Sequence, residues 1–143
     1  MAAQAFTKAT GVTVLQTRKA TGEALAQIRA EAANPKTDIW WGGTGDPFLQ
    51  AAEIGLLAPY RPAYINDLYG WSVRQYAMSE NKVGGFYTSA IGFGWNTDLL
   101  KKKNLPVPKC WSDLIKPIYK GEVEISHPAS SGTAYTILAG LVQ

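Results

Sequence analysis

Short β-branched runs alternate with helical patterns through the first third of the chain, and this order most narrows the fold it can adopt. Residues 2–10 are alanine-rich, with Phe6 and Ala9 on one side, and Gly11 supplies a helix stop. Val12-Thr13-Val14-Leu15-Gln16 reads as a short strand. Thr21 is placed to cap a second helix reaching Ala33, with Leu25, Ile28 and Ala32 three and four residues apart, and Asn34-Pro35 ends it. Asp38-Ile39-Trp40-Trp41 reads as a second strand, closed by Gly42-Gly43-Thr44-Gly45. Asp46 then caps a third helix with Pro47 at its first position, and Gly55 terminates it. Helix, strand, helix, strand, helix is the pattern of a parallel sheet with covering helices, so the expected class is α/β with residues 12–16 and 38–41 as parallel neighbours.

The rest of the chain continues less regularly. Residues 58–72 are rich in Pro, Tyr and Gly and read as an irregular crossing. Residues 83–95 alternate small and aromatic residues, as one or two strands would. Asn96 or Thr97 opens a helix through Lys103, and Leu105-Pro106-Val107-Pro108 is an extended linker. A short helix begins at Trp111, residues 121–126 read as a strand, and the segment from Pro128 to Thr133 leads into a final apolar helix.

Composition excludes several classes of function. The 143 residues are 46% hydrophobic and 17% charged, which argues against intrinsic disorder. The net charge is only +3, and apart from Lys101-Lys102-Lys103 the basic residues are scattered, so no nucleic-acid footprint is present. Cys110 is the single cysteine and His127 the single histidine, which rules out an internal disulfide and leaves no metal-ligand set. No apolar run approaches a membrane span, and the N-terminal residues lack a signal-peptide pattern. Both ends fall inside helical patterns, so the chain is expected to be a fragment.

Two segments share one design: a strand, a loop of Gly, Ser and Thr, then a helix start. The first offers Gly43, Thr44, Gly45 and Asp46; the second offers Ser130, Ser131, Gly132 and Thr133. Glycines admit a ligand to the backbone, and free N–H groups at a helix start favour an anion. These eight residues are the candidate ligand-binding set; the plain alternative for each loop is a connecting turn with a helix cap. Neither loop ends in the Gly-Lys-Ser/Thr of a nucleotide-phosphate loop, and no cofactor is expected. No Ser or Cys stands beside a base, so no catalytic residue is assigned and an enzyme is not expected. Of Trp40, Trp41 and Trp95, at least two are expected to pack in the core.

Beyond these local features, the residues resemble a family. Phe6-Thr7-Lys8-Ala9-Thr10-Gly11-Val12-Thr13-Val14 looks like the first-helix-to-second-strand signature of periplasmic solute-binding proteins of ABC transporters. Trp41-Gly42-Gly43-Thr44-Gly45-Asp46-Pro47, Asn96-Thr97-Asp98-Leu99-Leu100, Trp111-Ser112-Asp113-Leu114, Tyr119-Lys120-Gly121 and Ser130-Ser131-Gly132-Thr133-Ala134-Tyr135 follow in the order of the ferric-iron-type branch. That branch also holds binders of phosphorylated sugars, phosphonates, thiamine and polyamines. The resemblance implies three-layer α/β lobes with mainly parallel sheets, here as an incomplete two-lobe fragment. Residues 1–91 would be part of the first lobe, and 92–143 the crossing segment and part of the second.

The same resemblance implies a periplasmic protein that traps a small anionic solute between its lobes and delivers it to an ABC permease. The two loops would face each other across the cleft; in the ferric branch the second position contacts an anion accompanying iron. Here the first loop has no carboxylate except Asp46, which suits a phosphate-like group better than a bare metal. Alternative readings are a fragment that folds only by association and binds nothing, or a small phosphate-handling enzyme. A lobe lacking strands would leave open edges, so a homodimer is expected, with segment swapping as one form it can take.

Overall fold

The computed structural model describes residues 2–143 and consists of helices joined by long irregular segments. Six α-helices follow in order: α1 (Ala2–Thr10), α2 (Thr21–Ala30), α3 (Gly45–Glu53), α4 (Gly70–Met78), α5 (Thr97–Lys102) and α6 (Gly132–Leu141). Single 3₁₀ turns lie at Ile65–Asp67, Trp111–Ile115 and Pro117–Tyr119.

Helix boundaries follow their local chemistry. Asn96 caps α5, its side-chain oxygen accepting from the N–H groups of Asp98 and Leu99, both at 3.0 Å. Ser131 caps α6, its hydroxyl accepting from Ala134 N–H at 3.3 Å. Two starts fall one or two residues from their expected positions. Ala20, not Thr21, is the cap of α2, and the Glu23 carboxylate accepts from Ala20 N–H at 3.3 Å. Thr44, not Asp46, occupies the cap position of α3, which puts Pro47 at the third helical residue, where no intrahelical N–H is lost. Helix α2 also ends at Ala30 rather than Ala33.

The expected strands are not formed among the described residues. Segments 12–16, 38–41, 83–95 and 121–126 carry no backbone ladder. Outside the helices, the backbone hydrogen bonds are local turns and caps apart from two: Tyr60 N–H to Asn81 O at 2.9 Å and Gly22 N–H to Ser130 O at 3.0 Å. A strand exists only where a neighbour supplies the complementary donors and acceptors. Segment 12–16 has no such neighbour and is exposed along its length, with Leu15 at 93%, so a β-branched pattern alone does not make a sheet.

The packed core instead gathers around α3 and α4. Ala51 and Ala52 of α3, Ile65, Ser72 and Tyr76 of α4, Ser79 and Val83 are all buried. Tyr76 donates its hydroxyl to Tyr60 O, and Ser72 donates to Gly85 O. Ser79 closes the end of α4, its hydroxyl accepting from Val83 N–H at 2.9 Å. Among the described residues no helix is long and apolar enough to cross a membrane.

Candidate anion-binding junction

The N-terminal ends of α2, α3 and α6 converge on one point, and the eight predicted site residues lie on the two loops that lead to it or in the first turns of α3 and α6. The α6 loop is drawn onto α2 by the Gly22–Ser130 bond. Gly132 is buried, and a Cβ there would collide with the Thr44 hydroxyl and stand 3.0 Å from the Thr21 hydroxyl. Gly43, at φ +129°, is in a region open to glycine alone, and a Cβ there would lie 2.7 Å from the Thr21 hydroxyl. The loop glycines are therefore required by a close approach between two loops far apart in the chain.

The loops differ in what they leave free. Gly43 N–H donates to Tyr87 Oη at 3.1 Å, and the Tyr87 hydroxyl faces Gly43 O at 3.3 Å. Ser130 is likewise engaged: its hydroxyl donates to His127 O at 3.2 Å, and the same carbonyl accepts from the N–H groups of Ser130 and Ser131. His127 Nδ1 accepts from Ala129 N–H at 3.2 Å, so the histidine shapes this turn. What remains is the first-turn N–H groups of α3 (Gly45 and Asp46) and of α6 (Gly132 and Thr133), which have no intrahelical acceptor. The Thr44 hydroxyl oxygen is buried and has no hydrogen-bond partner among the described residues. Leaving such a group unsatisfied costs on the order of 1–3 kcal/mol.

The helix ends present positive partial charge, tempered by the Asp46 and Glu23 carboxylates in the first turns of α3 and α2. The ion pairs Glu80–Lys82, Lys103–Glu122 and Asp113–Lys116 all lie elsewhere. The donors at the junction are thus neutral hydroxyls and amides, a set suited to a tetrahedral oxyanion. Among the described residues no group of three or more His, Cys, Asp or Glu is placed to hold a metal.

Two residues outside the predicted set help to build the junction. Thr21 stands between Gly43 and Gly132, although its position in the sequence suggests only a helix cap. Gln75 of α4 reaches toward both Gly45 and Gly85, holding the start of α3 against the core. The tryptophans divide differently from the expectation that at least two would be packed: Trp40 is half-buried on Phe48, whereas Trp41 and Trp95 are exposed.

Comparison with known proteins gives the family. The family described as "Bacterial extracellular solute-binding protein" matches residues 1–142. The chain is similar to the solved periplasmic binding protein AfuA of Actinobacillus pleuropneumoniae, whose structure has exogenous fructose-6-phosphate bound. That match has a TM-score of 0.80 and 42% identity, covering 96% of this chain and 44% of AfuA. The solved periplasmic binding protein P5PA matches at TM-score 0.91 and 38% identity, over 99% of this chain and 45% of that one. A Salmonella typhimurium protein named "Putative 2-aminoethylphosphonate-binding periplasmic protein" is 31% identical, over 94% of this chain and 37% of its own length. The chain therefore spans less than half the length of these relatives. A family match along nearly the whole chain, with solved and named relatives of the same kind, gives one conclusion: the chain belongs to the bacterial extracellular solute-binding proteins.

Proposed function

We propose that the chain is the part of an ABC-type importer's periplasmic solute-binding protein that grips a phosphate-type anion for delivery to the permease. The carrying observation is the buried, partnerless Thr44 hydroxyl at the meeting of three helix starts. A solute that parts the two loops meets a hydroxyl with no protein bond to surrender, together with the free first-turn N–H groups of Gly45, Asp46, Gly132 and Thr133. Ser131 keeps α6 capped while its loop is engaged. The names of the relatives agree with this chemistry, since a sugar phosphate and a phosphonate both end in a tetrahedral oxyanion. The reading is capture without turnover. Residues 1–91 serve as part of one lobe, and 92–143 as the crossing segment and part of the other.

Titration calorimetry with inorganic phosphate and with fructose 6-phosphate tests the proposal. Saturable binding whose affinity falls about fivefold in Thr44→Val, and is unchanged in an α5 surface variant such as Lys101→Ala, supports it. Affinity unchanged by Thr44→Val, or no heat from either compound, overturns it.

Self-association belongs to the same reading and rests on area. The chain exposes 11363 Å², whereas a compact monomer of its 15.5 kDa would expose about 7,200 Å². The excess exceeds the ~800 Å² per partner that a standard interface covers. Sedimentation showing a dimer at micromolar concentration supports this part; a stable monomer removes it and leaves the anion site untouched.

A further inference from the structure

One phenol reaches the glycine loop from 44 residues away in the chain. The Tyr87 hydroxyl accepts from Gly43 N–H at 3.1 Å and donates to Gly43 O at 3.3 Å. These two groups belong to different peptide units, the one before Gly43 and the one after it. A single hydroxyl therefore fixes both planes that meet at this residue. The loop needs such a tie, because Gly42 and Gly43 follow one another at φ +80° and +129°, and glycine has the most backbone freedom to lose on ordering. Thr44, with its buried hydroxyl and its place at the start of α3, is the next residue along.

Tyr87 is itself anchored to the core. Two residues earlier, Gly85 O accepts from the buried Ser72 hydroxyl of α4, and a Cβ at Gly85 would collide with the Trp71 ring and the Gln75 amide. The Phe86 ring meets that of Tyr87 edge-on at 4.9 Å and lies 4.4 Å from that of Trp41. Segments 41–43 and 85–87 are thus joined twice, by ring contact and by the hydroxyl. A continuous set of contacts runs from α4 through Gly85 and Tyr87 to Gly43, and so to Thr44.

We infer that Tyr87 is a positioning residue for the anion junction: its hydroxyl holds the Gly42–Gly43 turn in the conformation that presents Thr44 and the start of α3 to the solute, without touching the solute itself. The inference rests on the anion-binding reading above and adds to it what keeps the site competent before the solute arrives. Without the hydroxyl the turn spreads over conformations of which only a fraction can bind, and apparent affinity falls by that fraction. The bound state is the same, so the loss enters the association rate. A lost contact to the solute would enter the dissociation rate instead.

Calorimetry with inorganic phosphate and with fructose 6-phosphate, on the unmodified chain and on Tyr87→Phe, gives the affinities. Phosphorus NMR line shapes of the tighter-binding probe give its dissociation rate. Tyr87 is 51% exposed, so Tyr87→Phe keeps the ring against Phe86, removes only the hydroxyl and leaves the fold in place. Its affinity falls about tenfold, the scale of two neutral hydrogen bonds, with the dissociation rate unchanged. Unchanged or higher affinity in Tyr87→Phe, or a loss carried by faster dissociation, overturns the positioning role and leaves the anion site standing. Failure of both probes to bind the unmodified chain overturns the anion site, and the role of Tyr87 with it.

Discussion

Residues 45–83 and residues 92–143 hold together differently. The first segment buries Ala51, Ala52, Ile65, Ser72, Tyr76, Ser79 and Val83, and closes on itself through the Tyr60–Asn81 backbone bond. The second buries Pro108, Tyr119, Gly132 and Ala134. It relies on separate ties: the Tyr119 hydroxyl on Pro106 O at 2.7 Å, the Lys103–Glu122 pair at 2.7 Å, and Phe93 edge-on against Trp111 at 5.2 Å. Its start of α6 is held by the first part of the chain, through Gly22 and Thr21. One segment carries a core of its own. The other is pinned at the point where the anion is proposed to bind, so ligand binding and the docking of α6 should be sensitive to the same residues.

The largest effect should come from breaking the first segment. Ile65 is 2% exposed, and Ile65→Ala should destabilise the chain by about 2–5 kcal/mol, read as a lowered urea midpoint. A loss well under 1 kcal/mol would mean that this segment is no better packed than the second. Gly132→Pro sharpens the comparison from the other side. A helix tolerates proline at its first residue, so α6 should persist by circular dichroism, while the ring meets Thr44 and Thr21 and the N–H is lost. Phosphate-type ligands should then bind on the order of 100-fold more weakly, the scale of a lost bond to a charged group. Unchanged affinity in a folded variant would remove the α6 loop from the site.

Thr44→Val should have a smaller and more selective effect. Valine keeps the shape and deletes a buried hydroxyl with no partner, so the free chain should be as stable as before or slightly more so. Anion affinity should fall by about 1 kcal/mol, one neutral hydrogen bond. Stability and binding falling together would show that the hydroxyl has a structural partner instead.

The sequence shows which parts of this comparison could be foreseen. Caps and stops were legible because their chemistry is local: Asn96 and Ser131 cap where their side chains permit, and Gly11 and Gly55 take positive φ at helix ends. Helix α4 was not, because Tyr69 and Gly70 offer no cap at its start. Its Ser72-to-Tyr76 spacing was the available signal. The strand expectations at 12–16 and 38–41 reported a preference for a half-buried pleated surface, which a segment cannot supply for itself. The two loops were legible from their Gly, Ser and Thr content. Thr21 was not, because its role is set by Gly43 and Gly132, which tertiary structure alone brings to it.

The smallest expected effect lies in the second segment and is set by pH. The Asp113 carboxylate bonds Lys116 Nζ at 2.6 Å, and it also accepts from Lys109 N–H at 2.7 Å and Cys110 N–H at 3.2 Å. These bonds, the lysine first, hold its pKa well below the usual carboxylate range, and the same pair raises that of Lys116. A carboxyl whose folded-state pKa is depressed stabilises the fold above its unfolded pKa, and that stabilisation is lost as pH falls toward the folded value. The 3₁₀ turn at Trp111–Ile115 should therefore be unaffected at neutral pH, begin to loosen below about pH 4, and lose the contribution fully only in strong acid. Trp111 lies in this turn against Phe93, so its fluorescence can report the change if the other tryptophans are replaced by phenylalanine. Asp113→Asn should abolish the acid transition at Trp111 while leaving the unfolding of residues 45–83 in place. A transition of the same size in that variant would assign the acid response to another carboxylate of the second segment, with Glu122 in its pair with Lys103 the one to replace next.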